Sequence, residues 1–203
     1  MRVLSEIFLL CAMLSSSIAY AQRHQVGEVG GAPVYSDQIA GEDVQARADS
    51  ARSVFLRPVL DEWYRQNGAE LRITEAEGKV LETQVLAFSK CSNSGYELPQ
   101  DPKWRTATLN MLGGSVKAQK LLYEQFGGGR LLFQQSGVEA FDATRRLLEE
   151  RESAGAFAIT DPEVRALAYE YWTREHGSMF ITDPIAISRA LRIDSVIARC
   201  PGT

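Results

Sequence analysis

Hydrophobic residues recur along most of this chain at the three- and four-residue spacing of an amphipathic α-helix. The most regular stretch follows Asp161 and places these apolar side chains on one helical face: Val164, Leu167, Ala168, Tyr171 and Trp172. A second stripe runs from Ser53 to the helix-end signal Asn67-Gly68 and contains Pro58. Since proline removes a backbone donor, this helix is predicted to begin or kink near Pro58.

Three further helices are expected from the same spacing. The helix from Thr74 is predicted to bury Val80, Leu81, Val85 and Phe88. The helix from about Trp104 to Phe126 is predicted to run through Met111, Leu112, Val116, Leu122 and Tyr123. The pair Gly113-Gly114 lowers the helix propensity in the middle of this helix. A helix over Val138 to Glu152 would point the side chains of Phe141, Leu147 and Leu148 toward the core. The segment Arg130 to Gln135 is too short for periodicity to distinguish strand from helix.

Polar residues mark the starts of several helices. Thr74 and Glu77 have the spacing of a capping box, in which each side chain bonds a free backbone N–H. Asp161-Pro162 and Asp183-Pro184 each place aspartate at the N-cap and proline at the first helical position. Capping accounts for all of these residue types, so they predict helix starts and no active site.

The segment before the first helix alternates between apolar and polar positions. Residues 25–35 alternate around Gly30-Gly31-Ala32-Pro33, which is typical of a hairpin or an extended arm, and Ser36 to Ile39 is a plausible helix start. About 180 residues after the first 21 are enough for one well-buried core. We therefore predict a mainly α fold, a single helical domain over 22–203 with a short N-terminal extended arm or β-hairpin.

Residues 1–21 have the pattern of a signal peptide. Arg2 supplies a basic start, Ile7 to Leu14 is apolar, and Ser15 to Ala21 ends in the small-x-small pattern that signal peptidase cleaves. The apolar stretch is shorter than the roughly twenty residues that span a bilayer, and no later stretch approaches that length. We expect an exported protein, periplasmic or secreted, without a transmembrane segment.

Composition and charge exclude some classes of partner. The chain is 45% hydrophobic and 24% charged, which is ordinary for a globular protein, and its net charge is -4. Nucleic acid would favour a clustered excess of Lys and Arg, and the sequence has no such cluster. We expect no nucleic-acid partner.

Two cysteines, Cys91 and Cys200, lie beyond the predicted signal peptide in polar surroundings. An even pair in an oxidising compartment favours a disulfide. In the chain-entropy model, closing a loop of about 110 residues stabilises the folded state by roughly 4 to 5 kcal/mol. The alternative is two unpaired buried thiols. Two cysteines and two distant histidines are too few for a metal site.

The usual signatures of catalysis are weak in this sequence. His24 lies near the new N-terminus, and His176 ends a helix, where a cation complements the helix dipole. Gly127-Gly128-Gly129-Arg130 lacks the Lys-Ser/Thr of a phosphate loop. Acidic pairs such as Glu149-Glu150 sit beside basic residues, as on a solvated face. We predict no catalytic residues and no cofactor.

Aromatic residues are more numerous than one helix face needs: Trp63, Tyr64, Trp104, Tyr123, Phe126, Phe133, Tyr169, Tyr171 and Trp172. Such residues either fill a core or line a groove for an extended or helical apolar segment. The groove interpretation makes Tyr123, Phe126 and Phe133 the candidate peptide-binding residues.

The order of these features resembles the N-terminal domain of SurA-like periplasmic chaperones. The resemblance rests on Val26 to Ile39, on the helix ending Trp63-Tyr64-Arg65-Gln66-Asn67-Gly68, and on Leu71-Arg72-Ile73-Thr74-Glu75-Ala76-Glu77. Such proteins open with V-x-x-V-N-G-x-x-I-x-x-x-x-V and have a helix boundary G-I/V-x-I/V-S/T-D/E-x-E. The match covers about Val26 to Val85, and Gly30 stands where the family often has Asn. No parvulin isomerase domain is found.

The resemblance implies a helical chaperone domain that holds unfolded exported or outer-membrane chains in an apolar groove. Isomerase activity is not carried over, because the domain that performs it is missing from this sequence. The prediction is an exported, chaperone-like or peptide-binding helical protein whose partners are unfolded or extended polypeptides. Two alternatives stay open: a structural or assembly subunit of the envelope, and an enzyme whose acidic residues converge only in the fold.

Overall fold

The computed structural model describes residues 23–92, 97–134 and 137–195, without the side chains of residues 91, 92 and 195. The predicted signal peptide lies outside the described residues. So do Cys200 and the side chain of Cys91, and the disulfide between these residues stays a prediction.

The described residues are mainly helical, as predicted. The α-helices are α1 (Val44–Ala51), α2 (Arg57–Gln66), α3 (Glu75–Ser92), α4 (Pro102–Gln125), α5 (Phe141–Ser153), α6 (Pro162–Thr173) and α7 (Pro184–Ala190). The strands are β1 (Gln25–Val29), β2 (Ala32–Tyr35), β3 (Leu131–Gln134), β4 (Gly137–Glu139), β5 (Phe157–Ile159) and β6 (Phe180–Ile181).

The strands form two small antiparallel sheets. One has the order β2-β1-β5 and the other the order β4-β3-β6. Strands β1 and β2 are the predicted hairpin, joined at Gly30-Gly31. The hairpin is held in the fold because β5, from the second half of the chain, pairs with β1 through Gly27 and Ile159.

Pro58 lies within a continuous helical rod, Val44 to Gln66, that starts earlier than the helix predicted from Ser53. The rod starts at α1, where the Asp43 side chain accepts from the N–H of Ala46 at 2.7 Å. A π-helical turn over Arg52–Leu56 then joins α1 to α2. This turn ends two residues before Pro58. Pro58 occupies the first turn of α2, where the missing N–H of proline breaks few hydrogen bonds. At Ser36–Gln38 the predicted helix start is only a short 3-10 turn.

Other helix starts agree with the capping signals. The backbone N–H of Thr74 donates to Glu77 Oε2 at 2.6 Å, and the N–H of Glu77 donates to Thr74 Oγ1 at 3.2 Å. Asp161 accepts from Val164 N at 3.1 Å at the start of α6. Asp183 caps α7 in the same way.

Two details of the predicted helices are wrong. The helix expected from Val138 begins at Phe141, because Val138 pairs with Phe133 across the β3–β4 hairpin. On α3, Val80 is exposed, because Leu81 and Val85, four residues apart, define the buried face.

Buried apolar side chains of the described residues form three clusters. The first joins the hairpin sheet to the π turn, α5 and α6, and includes Val26, Phe55, Phe141, Phe157 and Trp172. The second joins α2, α4, α5 and α7, and includes Trp63, Leu122, Leu131, Leu147 and Ile187. The third lies between α3 and α4, and includes Leu81, Val85, Leu98 and Leu109. Of the helices described, none is long and apolar enough to cross a membrane.

Candidate functional site

Helix α4 lies very close to the loop that follows α2. A Cβ atom at Gly113 would stand 2.4 Å from Ile73 Cγ2 and 2.7 Å from Leu81 Cδ1. At Gly114 it would stand 3.3 Å from the carbonyl oxygen of Leu71. The two glycines therefore allow the close approach of helix and loop, and α4 continues through them without a break.

A cavity of about 620 Å³, here called the outer cavity, opens beside this contact. Its apolar lining is Tyr64, Leu71, Ile73 and Met111, and its polar lining includes Asn110 and Ser115. Met111 is the most exposed of the apolar residues in this lining, at 67%. An open apolar cavity with polar groups at its edge is the usual form of a binding site.

A smaller cavity of about 210 Å³, the inner cavity, adjoins the outer one. Tyr64 and Ser115 line both cavities, so they form the wall between them. The inner cavity extends from there to Glu139 on β4 and to Thr144 on α5. We refer to the two cavities together as the α2–α4 groove.

Three neutral donors hold the carboxylate of Glu139. Its Oε2 accepts from the hydroxyl of Tyr171 at 2.6 Å and from Gln134 Nε2 at 2.8 Å, and its Oε1 accepts from Trp172 Nε1 at 3.0 Å. Gln134 also contacts the Tyr171 hydroxyl. These bonds fix the orientation of the side chain but bring no positive charge to it. Among the described residues, no basic side chain forms an ion pair with Glu139.

Two tyrosines beside Glu139 keep their protons. Burial, and then the negative charge of Glu139, raises the pKa of the Tyr64 phenol. Burial, and then the hydrogen bond to Glu139, raises the pKa of Tyr171. Because an ordinary tyrosine already titrates near pH 10, both phenols are neutral donors at physiological pH.

The inner cavity also has a buried hydroxyl without a partner. Thr144 is only 4% exposed, and its Oγ1 makes no hydrogen bond within the described part of the chain. Its neighbour in the cavity wall, Gln119, is engaged: its Oε1 accepts from the N–H of Ala140 at 2.7 Å. The amide nitrogen of Gln119 faces the hydroxyl of Tyr64 at 3.5 Å. A buried unpaired hydroxyl costs about 1 to 3 kcal/mol, so a ligand atom that pairs with Thr144 would recover part of this.

Few ionisable side chains line the groove. No described histidine lines the groove, and no group of three His, Cys, Asp or Glu among the described residues is arranged to hold a metal ion. Glu139 is the one carboxylate in the lining of the two cavities, and its oxygens are engaged by three donors.

The aromatic residues predicted for peptide binding lie elsewhere. Tyr123 and Phe126 are half-buried and pack against the second cluster. Phe133 is 57% exposed on β3. None of the three lines the outer or the inner cavity. The sequence signal for the groove was instead the Gly113-Gly114 pair beside Met111, because paired glycines in a helix indicate close packing as well as weakness.

Comparison of the chain with protein-family models, with curated proteins and with solved structures gives no match. The resemblance to SurA-like chaperones therefore stays a prediction that rests on its own motifs. One wall of the groove, from Tyr64 to Ile73, lies within the segment that carries this resemblance.

Proposed function

We propose that this protein is an exported, chaperone-like protein that holds segments of unfolded polypeptide in the α2–α4 groove, without isomerase activity. The observation that carries the proposal is the open apolar lining of the outer cavity around Met111. Methionine is unbranched and polarizable, and it adapts to side chains of different shape. A site that must accept many sequences benefits from such a surface.

The polar residues that line the outer cavity suit an extended main chain. Asn110 and Ser115 supply donors and acceptors, and Arg72 supplies donors. An unfolded segment presents apolar side chains together with unpaired backbone N–H and C=O groups. The groove therefore matches both kinds of group in such a segment.

Met111→Glu is expected to weaken the binding of unfolded polypeptide by about tenfold or more. The change removes the burial of a methionine side chain, which is worth about 1.5 to 3 kcal/mol, and places a charge in an apolar contact. Binding is measured by fluorescence anisotropy with a labelled, permanently unfolded polypeptide. Suppression of client aggregation at a one-to-one molar ratio should fall in parallel.

Ile185→Glu is the matched control. Ile185 is 71% exposed on α7 and lines neither cavity, so this variant should bind as the unchanged protein does. Equal losses in both variants would show unspecific adhesion to apolar surface and would contradict a groove. If Phe133→Ser weakened binding and Met111→Glu did not, the site would lie at the aromatic residues predicted from sequence. A protein that binds no unfolded chain would refute the proposal and favour an envelope subunit.

A further inference from the structure

We infer that the inner cavity takes a basic side chain, so that the groove selects polypeptide segments that carry lysine or arginine. This inference rests on the proposed function and specifies its substrate. It starts from Glu139, whose carboxylate lies in the cavity wall without an ion-pair partner among the described residues. A charge held in a partly buried place favours a ligand of opposite sign.

The hydrogen bonds at Glu139 leave room for such a ligand. Oε2 accepts two bonds, but Oε1 accepts only the one from Trp172. A carboxylate offers about four acceptor positions, so one on Oε1 is open. The indole also keeps this oxygen in place, and the acceptor is positioned before a ligand arrives.

Thr144 provides a second and independent acceptor. Thr144 lines the same cavity, and its buried Oγ1 has no partner in the described chain. An ammonium group has three donors and a guanidinium group has five, with no acceptor on either. Such a group can bond Glu139 and Thr144 together, whereas a carboxylate ligand would be repelled by Glu139.

The size and lining of the inner cavity fit one long side chain. Its volume of about 210 Å³ is below the range of about 300 to 1,000 Å³ that is usual for whole small-molecule ligands. Leu60, Leu122 and Val138 line it beside the polar groups. A lysine or arginine side chain has this composition, an apolar stem with a charged end. The main chain of the same segment would remain in the outer cavity.

The test uses three extended apolar peptides that differ only at the central residue, which is lysine, norleucine or glutamate. We expect the lysine peptide to bind the unchanged protein about tenfold more tightly than the norleucine peptide, and the glutamate peptide to bind most weakly. Glu139→Gln should bring the lysine-to-norleucine ratio close to one, chiefly through weaker binding of the lysine peptide. The control Glu163→Gln changes the same charge on an exposed side chain of α6 and should keep the full ratio.

Thr144→Val is a second variant that preserves shape and breaks no hydrogen bond in the described chain. It should lower the lysine-to-norleucine binding ratio several-fold, and it tests the inference even if Glu139→Gln unfolds. Equal binding of lysine and norleucine peptides by the unchanged protein would overturn the inference and leave the proposed function standing. So would a preference that survives in both Glu139→Gln and Thr144→Val. Binding of no peptide at all would overturn both.

Discussion

Gly27→Ala is expected to destabilise the fold by about 3 kcal/mol or more, the largest effect of any single methyl group in the hairpin sheet. Gly27 lies in β1, between Val34 on β2 and Ile159 on β5. A Cβ atom there would stand 2.2 Å from the carbonyl oxygen of Ala158 and 2.8 Å from Phe55 Cε1. Neither can yield easily, because one belongs to the β1–β5 ladder and the other is fully buried.

The measurement is the free energy of unfolding from urea titration. Gly78→Ala in the first turn of α3 is the control: its Cβ would meet only Ile73 Cδ1 at 3.7 Å, and within a helix alanine is favoured over glycine by up to about 1 kcal/mol. That variant should be as stable as the unchanged protein or more so. An unchanged unfolding midpoint for Gly27→Ala would contradict the position of β1 between its two neighbours.

Trp172→Ala is expected to lower the free energy of unfolding by about 3 to 5 kcal/mol. The residue is 6% exposed in the first cluster, its ring meets Tyr171 edge-on at 5.0 Å between centroids, and its indole N–H bonds Glu139. Removing it leaves a cavity in the core and takes away one of the three hydrogen bonds to the carboxylate of Glu139. Trp172→Phe keeps most of the apolar contact and loses the hydrogen bond, so its cost should be clearly smaller. The midpoints of thermal unfolding of both variants test this prediction. Equal midpoints for Trp172→Ala and the unchanged protein would show that α6 turns another face to the core.

Local signals predicted the helical framework well. The capping box at Thr74 and the aspartate caps at Asp161 and Asp183 depend on residues within one helical turn, so a sequence shows them directly. The hairpin at Gly30-Gly31 is equally local. The assignment of Val138 to a helix was wrong. Val138 lies in the three-residue strand β4, which is specified by its partner β3 and has almost no pattern of its own.

Apart from the Gly113-Gly114 pair, the groove depends on contacts between segments that lie far apart in the sequence. Met111 was predicted to lie on a helix from about Trp104 to Phe126, but helical spacing does not show that one side of this 24-residue helix is left uncovered beside the loop after α2. Glu139 reaches Trp172 only because β4 and α6 meet in the fold, 33 positions apart in sequence. Such long-range contacts follow from packing, which hydrophobic spacing alone does not define.

We propose that unfolded polypeptide binds in the groove beside Met111. Methyl resonances of carbon-13-labelled methionine test it directly, because Met1 and Met13 lie in the predicted signal peptide and the remaining two methionines are Met111 and Met179. Met179 is exposed and lines neither cavity, so it is an internal control. Adding an unfolded polypeptide to residues 22–203 should shift the Met111 resonance in a saturable way and leave Met179 in place. A Met111 resonance that stays unchanged while the polypeptide binds would contradict binding in this groove.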